Sequence, residues 1–143
     1  MAPRISSRIA SFVDALPLEP GFRVLEVGCG PGVAAREISR RIGSGTVVAI
    51  DRSAKAIRIA TDGSKPEIAT GRLRFQHVAI EDFELRSGEE PFDIAFAMRV
   101  GALDGRHPEL RKCAMNRLKA ALKPEGLLFI DSDIPVRGSE IDD

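Results

Sequence analysis

Short β-rich apolar runs alternate with helically periodic segments along the middle of this chain, and that alternation restricts the fold more than any other feature. Arg23-Val24-Leu25-Glu26-Val27 reads as a strand that stops at Gly28. Val33 to Ile42 follows with Ala34, Ile38 and Ile42 on one helical face, and Gly43 and Gly45 end it. Thr46 to Ile50 has the composition of a buried strand, and Ser53 then reads as an N-cap with Ala54, Ile57 and Ala60 behind it. Ser64-Lys65-Pro66-Glu67 resembles a capping box for a further short helix. Arg72 to Val78 alternates Leu73 and Phe75 with Arg72, Arg74 and Gln76, which predicts a strand near the sheet edge. Phe92 to Ala97 is a fourth strand. Pro108 opens a helix with Leu110, Ala114, Leu118 and Leu122 on one side, Pro124 and Gly126 break it, and Leu127 to Ile130 is a fifth strand. A helix from Ser6 to Leu16 precedes them all. The order predicts an α/β fold: a Rossmann-like, doubly wound, mostly parallel sheet of about five strands with helices on both faces. Ligands of such sheets bind at the carboxyl ends of the strands.

The length of 143 residues gives one domain, 1–143, with an N-terminal helix inside residues 1–20. Lys and Arg number 21 against 21 Asp and Glu, so the positive excess expected of a non-specific nucleic-acid binder is missing. With 7 Phe and no Trp or Tyr, a base-stacking surface is poorly supplied. Cys29 and Cys113 make neither a disulfide scaffold nor, alone, a zinc site, and they fit a reduced, cytoplasmic setting. Met1-Ala2-Pro3-Arg4 opens no long apolar run, which argues against a secretory leader, and no apolar stretch long enough to span a membrane occurs.

The turn after the first strand carries the chemistry. In Val24-Leu25-Glu26-Val27-Gly28-Cys29-Gly30-Pro31-Gly32 the glycines allow a sharp turn and close approach of backbone to a ligand, and the following helix start favours an anionic group. A nicotinamide site wants Gly-x-Gly-x-x-Gly, whose third glycine falls on Val33, so an NAD-dependent oxidoreductase is the less favoured enzyme. Asp51 closes the second strand, where a carboxylate can accept hydrogen bonds from ribose hydroxyls.

At these residues the chain resembles the class I S-adenosylmethionine (SAM)-dependent methyltransferases. Val24 to Gly32 looks like their cofactor loop and Asp51 like their acidic residue after the second strand. Ile80-Glu81-Asp82-Phe83 lies where their adenine-contact segment follows the third strand, although an Asp often stands where this chain has Ala79. Phe92-Asp93-Ile94-Ala95 and Leu122-Lys123-Pro124-Glu125-Gly126 resemble the later signatures. The resemblance implies SAM as cofactor. Glu26, Gly28 and Gly30 would hold its methionine end, with Cys29 between the glycines as small filler rather than a nucleophile. Asp51 would take the ribose with Arg52 beside it, Glu81 or Asp82 would sit near the adenine amino group, and Met98 and Arg99 would line the floor below the sulfonium.

The segment after the fourth strand faces the acceptor in such sheets, which makes His107 and Asp104 the candidates for catalysis. Asp131 and Asp133 lack a third carboxylate after the fourth strand, so no metal site is expected. His77 reads as a surface histidine, and Arg36, Arg40 and Arg41 as one solvated helix face. The Asn/Asp-Pro-Pro-aromatic signature of amino methylation is replaced by Ala97-Met98-Arg99-Val100, which favours a small-molecule acceptor and leaves RNA and protein acceptors open. A non-catalytic SAM- or nucleotide-binding module is the reading from outside the enzymes. Relatives by resemblance continue past the fifth strand with a helix and an antiparallel pair. Here residues 132–143 are polar and expected to fray, and Leu127 to Ile130 would be an apolar edge able to recruit a second copy into a homodimer.

Overall fold

A computed structural model describes residues 5–142. The reading of the first four residues for a leader lies outside them. Helix α1 (Ser7–Ala15) starts where the Ser6 hydroxyl accepts the Ile9 N–H at 3.2 Å. It leads into β1 (Arg23–Val27), α2 (Val33–Arg41), β2 (Thr46–Asp51), α3 (Ala54–Asp62), α4 (Lys65–Ala69), β3 (Leu73–His77), β4 (Phe92–Ala97), α5 (Pro108–Ala121), β5 (Leu122–Ile130) and β6 (Val136–Arg137). Single 3-10 turns occupy Ile80–Asp82 and Gly138–Glu140. Ser53 caps α3 as its sequence position suggests, accepting the Ala56 N–H at 3.1 Å.

The sheet order is β3-β2-β1-β4-β5-β6, parallel except for β6. The carboxyl ends of the central strands lie level, with Val27 opposite both Ile50 and Ala97. Alternate residues of each strand feed two cores. Val24, Val47, Ala49, Ile94 and Phe96 pack with Val13, Ala34, Ile38 and Ile42 beneath α1 and α2. Leu25, Val48, Ile50 and Ala95 pack with Phe83, Ala114 and Leu118 beneath α5. Both faces of the central strands are therefore covered, which is why they read as continuous apolar runs. Among the described residues no helix is long and apolar enough to cross a membrane.

Four sequence expectations change. Arg36 is not on a solvated face: it is 5% exposed, and its guanidinium donates to the Pro31 carbonyl at 2.9 Å and the Ser64 hydroxyl at 2.8 Å. Arg40 and Arg41 do lie outside, paired with Glu67, Glu37 and Asp14. Ser64 consequently makes no side-chain cap to α4, because its buried hydroxyl is spent on Arg36. The fifth strand begins at Leu122 rather than Leu127. It bulges through Lys123–Gly126, so that Leu122 faces Phe92 and Leu127 faces Ile94, and the bulge accommodates Pro124.

The tail, finally, does not fray throughout. Val136 and Arg137 pair antiparallel with Leu128 and Leu127, and Ile141 is 4% exposed in the core beside α5. The Lys119 ammonium donates to the Ile141 carbonyl at 2.6 Å. A buried isoleucine, two strand rungs and the packing of Gly138 on Leu122 and Lys123 hold the polar segment, so the sheet has an antiparallel edge that the sequence reading lacked. Truncating that anchor in Ile141→Ala should lower stability by about 2–4 kcal/mol. Urea unfolding followed by circular dichroism, needed because the chain has no Trp or Tyr, checks it; an unchanged midpoint would mean the Ile141 side chain anchors nothing.

Candidate active site

The β1–α2 turn is anchored by strand β2. Gly28 and Cys29 donate their N–H groups to the Ile50 carbonyl at 2.8 and 3.0 Å. Gly30 donates to Asp51 Oδ2 at 2.9 Å, and the other Asp51 oxygen accepts the Ser53 N–H at 2.8 Å. One carboxylate thus pins the glycine turn to the start of α3. The glycines serve different ends. A Cβ on Gly28 would lie 2.8 Å from Val100 and one on Gly32 2.9 Å from Phe75, so these two are demanded by packing. Gly30, at φ +53°, has nothing within 4 Å of where its Cβ would project. That open face borders a cleft of about 310 Å³ at the carboxyl ends of β1, β2, β3 and β4.

The cleft brings together Gly28, Gly30, Asp51, Arg52, Glu81, Arg99 and His107 of the expected residues. Arg52 donates to Glu81 at 3.0 Å across its rim. Asp82, Met98 and Asp104 do not line it. The 3-10 turn Ile80–Asp82 presents Glu81 to the cleft and leaves Asp82 off it. Asp104 instead takes the Arg106 guanidinium at 2.8 Å. Desolvation pushes the Asp104 carboxyl up, but hydrogen bonds from the Arg106 backbone and side chain outweigh it and hold the group below its ordinary range. His107 stands at the start of α5, with its N–H on the Gly101 carbonyl at 2.9 Å and its ring 3.4 Å from Glu109. The His77 ring bonds the Arg52 carbonyl at 3.0 Å. Val78, Val100, Gly101 and Ala102 also line the cleft and were not singled out from sequence. Their signal was positional: each directly follows the region of a strand's carboxyl end. Among the described residues no group of three or more His, Cys, Asp or Glu is placed to hold a metal ion.

Glu26 and Cys29 sit beneath the cleft rather than in its wall. Burial, with the Glu26 and Asp51 charges, pushes the Cys29 thiol far up, so no thiolate forms there. Glu26 is 4% exposed, and its Oε1 finds no hydrogen-bond partner among the described residues. Burial, then repulsion from Asp51, raises its carboxyl well above 4.5, against a lowering hydrogen bond from the Ala35 N–H. An unmatched buried carboxyl below an open glycine face fits a ligand that carries an ammonium group. The folded state therefore holds this proton more tightly than the unfolded chain. Its contribution is complete below about 4.5 and is lost as pH rises through the folded value. Within that window the stability of the free protein should fall by up to about 1.4 kcal/mol per pH unit. Glu26→Gln should remove that slope, as read by urea denaturation at a series of pH values.

The comparison with known proteins agrees with this geometry. Residues 24–126 match the methyltransferase domain family, and the chain belongs to that family. A ubiquinone biosynthesis O-methyltransferase of Rhizobium etli is 34% identical over 117 residues, covering 82% of this chain and 43% of the relative. Among solved structures, the [4+2]-cyclase SpnF superposes with a TM-score of 0.69 at 27% identity, over 86% of this chain and 43% of that one. A SAM-dependent methyltransferase from Thiobacillus denitrificans, in complex with S-adenosyl-L-homocysteine, superposes with a TM-score of 0.67 at 21% identity, over 90% of this chain and 49% of that one. The chain spans about two fifths of the length of the O-methyltransferase it matches.

Proposed function

We propose that this chain is the cofactor-binding part of a SAM-dependent methyltransferase with a small-molecule acceptor. The observation that carries the proposal is the Asp51 carboxylate bonded to the Gly30 N–H at the lip of the cleft, with the open face of Gly30 beside it. Family membership and the names of the relatives support it. Gly28 and Gly30 would run against the methionine end, and the free Glu26 oxygen would take its ammonium. Each Asp51 oxygen accepts one backbone N–H and retains a lone pair for a ribose hydroxyl. Of the two adenine candidates Glu81 is favoured, because it lines the cleft and Asp82 does not.

SAM supplies a methyl group already activated by its sulfonium, which an acceptor O, N, S or C atom attacks in line. The protein's part is to align the two and exclude water. His107 is the better placed acceptor-side group and would accept a proton where the nucleophile arrives protonated. Asp104, tied to Arg106, would act by positioning. The neutral formal charge and the O-methyltransferase relative favour a small acceptor over RNA or protein. A homodimer through β5 draws less support, since β6 already takes that edge at Leu127 and Leu128. The cyclase likeness, at 27% identity, supports one second reading: a domain of this fold that does not transfer a methyl group.

Turnover of methyl-labelled SAM over a panel of small acceptors tests the proposal, and SAM binding without any transfer would favour the second reading. Asp51→Ala should weaken SAM binding by about 2–4 kcal/mol in titration calorimetry. Gly30→Val should abolish binding, with circular dichroism confirming that each variant is folded; normal affinity in both would remove this cleft from the cofactor. His107→Ala should lower turnover and leave SAM affinity unchanged, and a fall in SAM affinity would move the residue to the cofactor side.

A further inference from the structure

Most charges around the cleft are matched within the protein. Arg52 is paired with Glu81, Arg106 with Asp104, and the Asp51 carboxylate holds two backbone N–H groups. Arg99 lines the same cleft, and among the described residues its guanidinium has no carboxylate or carbonyl partner.

The backbone beneath it is held with unusual care. Arg99 and Asp131 are the non-glycine residues with positive φ among those described, at +56° and +50°, and they follow the neighbouring strands β4 and β5. Asp131 donates its N–H to the Ala97 carbonyl at 2.9 Å, and its side chain accepts the Arg99 N–H at 2.7 Å. The Arg106 guanidinium, itself fixed by Asp104, donates to the Arg99 carbonyl at 2.6 Å. Left-handed backbone is costly for a side chain of this size and persists where the surroundings over-determine it, which happens at ligand clamps. Both polar groups of the Arg99 backbone are thus committed while its side chain is committed to nothing.

A cation is a poor floor for a sulfonium, which repels it. We propose that Arg99 is an acceptor-specificity residue that recognises a carboxylate or phosphate on the molecule to be methylated. Its planar fork suits bidentate contact with such a group. The proposal rests on the methyltransferase reading for its acceptor, though not for the presence of an oxyanion site.

The test uses Arg99→Gln and Arg99→Lys. Neither touches the backbone N–H and carbonyl that make the clamp, and circular dichroism verifies folding. Inorganic phosphate and benzoate are titrated into the free and the S-adenosylhomocysteine-loaded protein, following the arginine Nε–H resonances by NMR. The wild type should show a saturable shift of one resonance, the one absent from both variants. Arg99→Gln should weaken anion binding at least tenfold, with Arg99→Lys retaining part of it. Affinity for S-adenosylhomocysteine should change less than threefold in both variants.

Anion binding indifferent to Arg99, or absent in the wild type, overturns the proposal. So does a tenfold loss of S-adenosylhomocysteine affinity in Arg99→Gln with 5′-methylthioadenosine unaffected, because Arg99 then reads the cofactor's own carboxylate. Failure of the wild type to bind S-adenosylhomocysteine strikes the methyltransferase reading instead, and Arg99-dependent anion binding to the free protein would still establish the oxyanion site.

Discussion

The site depends first on one carboxylate. Asp51 ends β2, and its two oxygens reach in opposite directions, to the Gly30 N–H and the Ser53 N–H. The first bond holds the turn between β1 and α2, and the second shapes the entry to α3. The Ile50 carbonyl adds two further anchors through Gly28 and Cys29. A loop of glycines is flexible in isolation, and its backbone acquires a single conformation here because strand β2 supplies acceptors at the required spacing. The same bonds leave the Gly30 face clear, so rigidity and access come from one arrangement.

Below that arrangement lies a nearly buried carboxyl. Glu26 lies on the central strand directly below the turn, and its unmatched oxygen is a local cost. The fold tolerates such a group because the surrounding layers are closely made. Arg36 ties α2 to the glycine turn and to Ser64 at the start of α4, and Phe75 packs against Gly32 from β3. Elements on both sides of the turn are therefore fixed independently of any ligand, and the buried acid is presented rather than relaxed away.

Much of this was legible in the residues. The bounds of β1 follow from an apolar run that stops at Gly28, those of β4 from an apolar run alone, and the Ser53 cap from its place before a helical period. Gly28, Gly30 and Asp51 could be located because a strand, a turn and a strand end occur in the required order. The burial of Arg36 was not legible, since an arginine among two others on a helix looks solvated unless the position of Ser64 is known. The return of the tail depends on Ile141 meeting α5, a long-range contact that no local pattern signals. Glu81 could not be told from Asp82, because a 3-10 turn, unlike a helix or strand, gives no periodic cue to which neighbour faces inward.

The short β6 strand has a consequence for how the protein behaves in a crowded solution. It covers the apolar edge of β5 with only two rungs, and Ile134 in the connecting loop is 88% exposed. An edge guarded this lightly opens by local fluctuation, at far lower free energy than global unfolding. The tendency to aggregate is thereby set at this edge as well as by global stability. It follows the grip of the last few residues, and a protein whose core is intact can still precipitate once that grip is loosened.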